Sequence, residues 1–347
     1  MPSRVSRRVI PIVLDGGHSY STRMKEDPDG GARNHHFVPQ YYLKGFAKPR
    51  SKDGKLTVFD LKERKSFVTR PRNVAARRDY NRIEIEGQDP NVVESKLAEL
   101  EALGDQAFRR IIAARSIEDR DDFSFVHVLI ARIAISNPAF RDQRDQIISQ
   151  VGSMMMRNMV ATPERWDAVT GQMGPELGGD PVPYEEARAA VEDGGIVANA
   201  TRETLIEQEI LLWPSILPLL EQRKWTLFIA PPGSAGFITS DRPFSLRWKD
   251  ETMNRGPYGV GLGCTDTTLI FPISHDLAVV GGFEHEGGAN VVDESIVAAV
   301  NFTLFQAAMR QVYASADFPV VDVGKVVRPF SKSEVWRRVR ERPADSN

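Results

Sequence analysis

The chain has 347 residues, of which 41% are hydrophobic and 27% charged, with a formal net charge of −2. This is the composition of an ordinary globular protein, which excludes collagen-like and disordered classes. The single cysteine, Cys264, excludes an intramolecular disulfide, and no apolar run approaches the roughly 18 residues of a bilayer-spanning helix. A cytoplasmic protein with no membrane partner is expected.

The near-neutral total hides an asymmetry. Residues 1–82 hold 19 Lys and Arg against 8 Asp and Glu, and residues 325–347 hold 7 against 3. Basic ends of this kind suit nucleic acid or another anionic ligand, or else pack against the acidic middle of the chain.

In chain order, residues 1–33 are rich in Arg, Gly, Asp and Ser without a sustained period, which predicts a flexible tail, with Met24 a candidate start. Arg7-Arg8 precede an apolar segment that contains Pro11 and stops at Asp15, too short for an export signal. The first patterned stretch is Asn34 to Ala47, which puts two adjacent histidines, a proline and several aromatics into a few residues. Two neighbouring imidazoles are costly to bury charged, so a polar site is expected around His35 and His36.

Lys55–Asp60 and Lys65–Thr69 alternate around a charged turn and predict a β-hairpin. Asp89-Pro90 reads as the start of a helix reaching about Ala114, whose Glu94 and Glu101 share a stripe with Leu97 and Ala98. That stripe is either a solvated edge or a carboxylate pair. A second helix starts at a capping box over Ser116–Asp119 and stops at Asn137-Pro138; a third covers Phe140 to about Val160, with Met154, Met155, Met156 and Met159 filling an irregular contact. His127 lies on the apolar side of the second helix, where a hydrogen-bonded core histidine is expected. A Gly/Pro-rich linker over 171–183 precedes helices at Tyr184–Glu192 and about Ala198–Gln222, the latter containing Pro214 and Pro218.

After Lys224 the pattern turns to strand. Trp225–Ala230 and Gly236–Asp241 read as a hairpin, Thr268–Pro272 and Leu277–Val280 as further strands, and Glu294–Tyr313 as a final buried helix. The fold class expected is α+β, mainly an antiparallel sheet from the N- and C-terminal parts with a helical insertion at about 90–222. The expected organisation is a single domain over 34–330 and a basic tail over 331–347.

Few known motifs survive inspection. The glycines of Gly259–Gly263 lead into strand-like residues rather than the helix a phosphate cradle needs, and neither a Walker lysine motif, HExxH nor GxSxG occurs. What remains is His35-His36 and the strand end Thr239-Ser240-Asp241. A neutral imidazole oriented by a carboxylate can serve as general base, or the two can share a divalent metal. His35, His36 and Asp241 are therefore the catalytic candidates, and Gln40, Lys44, Thr239 and Ser240 the substrate-binding ones. The alternative is that both motifs are structural, with Ser240-Asp241 capping a turn and the histidines bonded to backbone.

Asn34-His35-His36-Phe37-Val38-Pro39-Gln40-Tyr41-Tyr42-Leu43-Lys44-Gly45-Phe46 resembles the opening signature of the domain-of-unknown-function 4238 family, found largely in bacteria. Asn73-Val74-Ala75 through Asp79-Tyr80, the Glu94–Glu101 helix, Phe237-Ile238-Thr239-Ser240-Asp241-Arg242-Pro243, Phe271-Pro272-Ile273-Ser274 and Asn301 follow in the family's order. The chain departs from the pattern at Ser136-Asn137-Pro138 and at Arg242. The family carries no assigned reaction. His36-Phe37-Val38-Pro39 has the His-x-x-Pro spacing of HNH nucleases, but no further histidine follows before His127, so a standard HNH site is not expected. The resulting expectation is a metal-dependent hydrolase acting on a phosphate-containing substrate such as nucleic acid, with a non-enzymatic interaction or regulatory protein as the alternative.

Overall fold

The computed structural model describes residues 8–9, 34–172, 182–194, 196–197, 199–250, 252, 259–284, 286–316, 318–321 and 327–330. The expected N-terminal tail apart from 8–9, most of the 171–183 linker and the basic segment 331–347 lie outside these residues. In chain order the elements are β1 (Arg8–Val9), β2 (Asn34–His36), α1 (Gln40–Leu43) running into a 3-10 turn over Lys44–Phe46, β3 (Leu56–Asp60), β4 (Lys65–Thr69), β5 (Ala76–Arg78), α2 (Val92–Ala114) and α3 (Arg120–Ser136). Then come α4 (Pro138–Met159), α5 (Pro163–Gln172), α6 (Tyr184–Glu192), β6 (Ile196–Val197), α7 (Arg202–Glu221), β7 (Lys224–Ile229), β8 (Thr239–Ser240) and β9 (Ser245–Trp248). The chain continues through β10 (Thr267–Ser274), β11 (Leu277–Gly282), β12 (Gly288–Val291), α8 (Glu294–Ala307), β13 (Gln311–Ala314), β14 (Phe318–Val321) and β15 (Val327–Phe330).

The fold is α+β with mainly antiparallel sheets. A four-stranded sheet in the order β4-β3-β13-β8 joins the N- and C-terminal parts of the sequence, and a five-stranded sheet, β12-β7-β11-β10-β9, is antiparallel except for the β12–β7 pair. No single described helix is long and apolar enough to cross a membrane.

The chain divides into two compact units. The smaller takes residues 1–30, 83–88 and 138–208 and has a small core of Val160, Ala187 and Val191, joined by Met156, Trp166 and Tyr184. Of the four methionines expected to fill a contact, Met156 joins this core, whereas Met154 and Met155 are exposed. The larger unit takes 31–82, 89–137 and 209–347 and contains both main sheets.

Local chemistry explains most boundaries in the larger unit. Asp119 caps α3 by accepting from the Asp122 N–H at 3.0 Å. The proline after Asn137 forces that residue out of helical geometry, and the Asn137 amide closes the helix by donating to the Ile133 and Ala134 carbonyls. Asp293 caps α8 by accepting from Ser295 and Ile296.

Two predicted elements differ. The expected Trp225–Asp241 hairpin does not form: β7 pairs with β11 and β12, while β8 pairs with β13. The final helix ends at Ala307, and Gln311–Ala314 is a strand against β3. His127 is buried beside Phe123 and Trp225, at 4.7 and 5.3 Å between ring centroids, but its Nε2 has no hydrogen-bond partner, contrary to expectation. Burial lowers its pKa to about 4.

Candidate functional site

The double-histidine stretch enters the larger unit as β2, which pairs antiparallel with β5, placing His35 opposite Arg77 and His36 opposite Ala76. Both imidazoles turn inward and are almost completely covered. His35 Nδ1 accepts the Asn81 backbone N–H at 2.9 Å, and the Asn81 amide donates in turn to Glu94 at 2.8 Å. Glu94 Oε2 lies 3.9 Å from the same imidazole nitrogen. His36 donates from Nε2 to the Arg72 carbonyl at 3.2 Å and accepts at Nδ1 from Gln40 at 3.4 Å. These bonds require the neutral Nε2–H tautomer at both histidines. For His36 burial acts in the same sense, lowering its pKa.

Arg132, also buried, donates to the His36 carbonyl at 3.1 Å and to Glu101 at 2.7 Å. Glu94 and Glu101 therefore connect to the double-histidine strand, through Asn81 and Arg132, while each stays partly exposed. Lys44 lies 3.7 Å from Asp105, on the same helix α2. Where α2 crosses α1, a Cβ at Gly104 would stand 2.8 Å from the Tyr41 hydroxyl, so that position requires glycine or a displaced ring.

The second motif is used in the same way. Asp241 accepts the backbone N–H groups of Met309, Arg310 and Gln311 at 2.9, 2.7 and 3.0 Å, tying the turn before β13 to the end of β8. Burial pushes its carboxyl up, and the three N–H donors act against that shift. From the opposite side Asp60, at the end of β3, accepts from the Arg310 and Gln311 side chains at 3.0 Å each, so two carboxylates hold one turn. Ser240 Oγ accepts the Arg242 N–H at 3.1 Å. Asn301, on α8, accepts from the Ile238 N–H and donates to the Gly236 carbonyl, at 3.0 and 2.9 Å. Its amide thus stands in for a strand partner, which is the physical reason the expected hairpin is absent.

The two motifs meet through Thr239, a substrate-binding candidate, and Tyr42, which sequence reasoning had not selected. The Tyr42 hydroxyl donates to the Pro272 carbonyl at 2.9 Å and therefore accepts from Thr239 Oγ1 at 2.7 Å. Both side chains are fully buried, and the Tyr42 ring stacks on Phe271. His36 and Asp241, by contrast, share neither a hydrogen bond nor an ion pair: the imidazole bonds the Arg72 carbonyl and Gln40, the carboxylate three backbone N–H groups. The Asp241 carboxylate is already occupied by main-chain donors. The signals that could have found the true connection were Tyr42 in the first motif and Thr239 in the second, two buried-side hydroxyls with complementary roles.

The residues do not fit a divalent metal. Among the described residues no group of three or more His, Cys, Asp or Glu side chains could hold one. The Nδ1 lone pairs of His35 and His36 are occupied by N–H donors, and His36 Nε2 is bonded to the Arg72 carbonyl, so neither nitrogen of His36 faces an open position.

A different concentration of charge lies on the surface. Residues 34–82 carry 13 Lys and Arg against 4 Asp and Glu, a surplus of nine positive charges. Much of it surrounds β3 and the edge strand β4, where Lys65, Phe67 and Val68 are exposed. An open hollow of about 330 Å³ beside β4 is lined by Lys55, Thr69, Arg70, Arg72 and Asn73. Lys44 and Arg50 pair with acids of the later sequence, Asp105 and Asp276. Lys52, Lys55, Lys62, Arg64 and Arg72 are exposed and have no ion-pair partner among the described residues.

The family model of DUF4238, described as a protein of unknown function, matches residues 34–318, and the chain belongs to that family. No curated protein and no solved structure matches the chain.

Proposed function

We propose that this DUF4238 protein is a non-enzymatic interaction protein whose partner is a phosphate-bearing polymer, with nucleic acid the first choice, and whose double-histidine and Thr-Ser-Asp motifs are structural. The observation that carries the reading is the group of five exposed cations, Lys52, Lys55, Lys62, Arg64 and Arg72, left without ion pairs on and around one hairpin. Cations that neutralise phosphates release condensed counterions, the usual source of sequence-independent affinity for nucleic acid. Phe67, exposed on the edge strand among them, offers a face on which an unpaired base can stack. The motif side chains support the same reading from the other direction, since their polar atoms are bonded to backbone or to buried partners.

One observation favours a second reading, hydrolysis of a phosphate-containing substrate. Glu94 is one-third exposed and lies 3.9 Å from the buried His35 imidazole, so a carboxylate beside a histidine does reach solvent.

The test is fluorescence anisotropy with labelled single- and double-stranded oligonucleotides, alongside nuclease and phosphatase assays with magnesium, manganese or zinc added. Saturable binding at low salt without turnover is the expected result. Turnover abolished by Glu94→Gln, in a variant that still folds, would replace the binding reading with the hydrolytic one.

A further inference from the structure

A cleft of about 500 Å³ opens at the turn between β10 and β11, in the larger unit, where the His275 backbone is bonded to Gly45 of the first motif and Phe237 of the second. Its floor is polar. Asp276 accepts from Ser274 Oγ and Arg50 at 2.5 Å each, and Arg115 reaches its other oxygen at 3.4 Å. Burial alone would raise the Asp276 carboxyl, but the hydrogen bonds from Arg50 and Ser274 outweigh it and hold the group ionised. His275 Nδ1 accepts from Arg50 Nε at 3.1 Å and lies 2.8 Å from its Nη2, which puts the ring proton on Nε2, 3.5 Å from the same guanidinium; the longer 3.4 Å approach of Nδ1 to the Gly45 carbonyl is then not a hydrogen bond. Two guanidiniums thus share one carboxylate, leaving one positive charge. Ile229, Pro231, Pro232 and Val291 supply apolar walls.

Two features show that this arrangement is built rather than incidental. Arg115 ends α2 with φ of 50°, the left-handed conformation that glycine usually takes at a helix end, and it is held there with its side chain on Asp276. Across the cleft the chain is fixed to the β10–β11 turn on both sides of Pro231–Gly233: before it Ala230 donates to the Asp276 carbonyl at 2.9 Å, and after it Phe237 donates to the His275 carbonyl at 2.7 Å, where a Cβ at Gly236 would fall 1.8 Å from that oxygen.

We propose that this cleft binds a small amphipathic carboxylate, its head on Arg115 and the Nε2–H of His275 and its apolar body against Pro232 and Val291. The cations around the cleft, Arg50, Arg115 and the nearby Lys48, outnumber the one carboxylate, which suits an anionic head. The volume lies in the range of small-molecule sites.

The experiment is isothermal titration of the full-length protein with hexanoate, hexanamide and acetate. Hexanoate should bind saturably with a dissociation constant on the order of 0.1–1 mM, and the other two at least about tenfold more weakly. Arg115→Gly relieves the left-handed backbone, so its Tm should be unchanged or higher while hexanoate binding is lost. Val291→Asp, on an exposed edge strand, should weaken hexanoate by about tenfold through charge repulsion without lowering Tm. Equal affinity for hexanoate and hexanamide, undiminished binding by Arg115→Gly, or no saturable binding of hexanoate by wild type would each overturn the proposal.

Discussion

The interior around Tyr42 and the hairpin β3–β4 come from the same stretch, residues 34–82, yet they use their polar groups in opposite ways. In the interior, Tyr42, His35, His36, Thr239 and Asp241 each have a bonded partner inside the protein, much of it main chain. On the hairpin, Lys52, Lys55, Lys62 and Arg64 are exposed and have none among the described residues. The contrast teaches that the density of chemically capable residues marks where a fold is joined, while recognition is sought where charges have been left uncompensated. Buried polar groups without partners cost stability, so the interior has to be complete; a solvated lysine carries no such requirement.

The comparison breaks if interior variants change binding or hairpin variants change stability. The largest expected effect is that of Asp241→Ala, which removes the acceptor of three backbone N–H groups at once. At about 1–3 kcal/mol for each buried donor left unpaired, a loss on the order of 4 kcal/mol is expected from chemical denaturation. Oligonucleotide affinity of the folded fraction should stay the same.

Next is the pH dependence contributed by His127. Its pKa is lowered to about 4 in the folded protein against an ordinary 6.5, so the unfolded chain takes up the proton first as pH falls. Stability present above pH 6.5 is therefore lost progressively towards pH 4, by up to about 3 kcal/mol. His127→Phe should remove this component and leave stability at pH 7 no lower, because Nε2 gives up no bond. An unchanged pH profile in that variant would contradict the assignment.

Tyr42→Phe comes third. It leaves Thr239 Oγ1 and the Pro272 carbonyl without their shared hydroxyl, for a loss of about 2 kcal/mol. The same melts should show Lys55→Gln and Arg72→Gln within about 0.5 kcal/mol of wild type, the range of surface substitutions that touch no other group.

Much of the fold was legible because local pattern and final structure agree. The alternation of Lys55–Asp60 and Lys65–Thr69 became β3 and β4, and the Asn137-Pro138 break ended α3 as its chemistry demands, while the cap at its start is Asp119 rather than Ser116, three residues later than the capping box predicts. The failures share one physical cause, a partner distant in sequence. Gly236–Asp241 reads as half of a hairpin, but Asn301, 63 residues after Ile238, supplies the bonds a neighbouring strand would have made. Gln311–Ala314 continues an apolar helical pattern, and only its pairing with β3 makes it a strand. Of the candidate site, the two motifs were visible and their meeting was not, because the link runs through a tyrosine hydroxyl rather than through the histidines. Arg132, Asn81 and Asp60 carried no local signal, since each acts on a partner outside its own element.

The most direct test of the central claim is the salt dependence of oligonucleotide binding by wild type and by the Lys55→Gln/Arg72→Gln double variant. Five phosphate contacts predict that log affinity falls with log salt with a slope of about −4.5 on duplex DNA. The double variant should reduce that slope by about two while melting as wild type does. A flat salt response, or a slope unaltered in the double variant, would contradict the account and leave the hairpin cations as protection of an exposed edge strand.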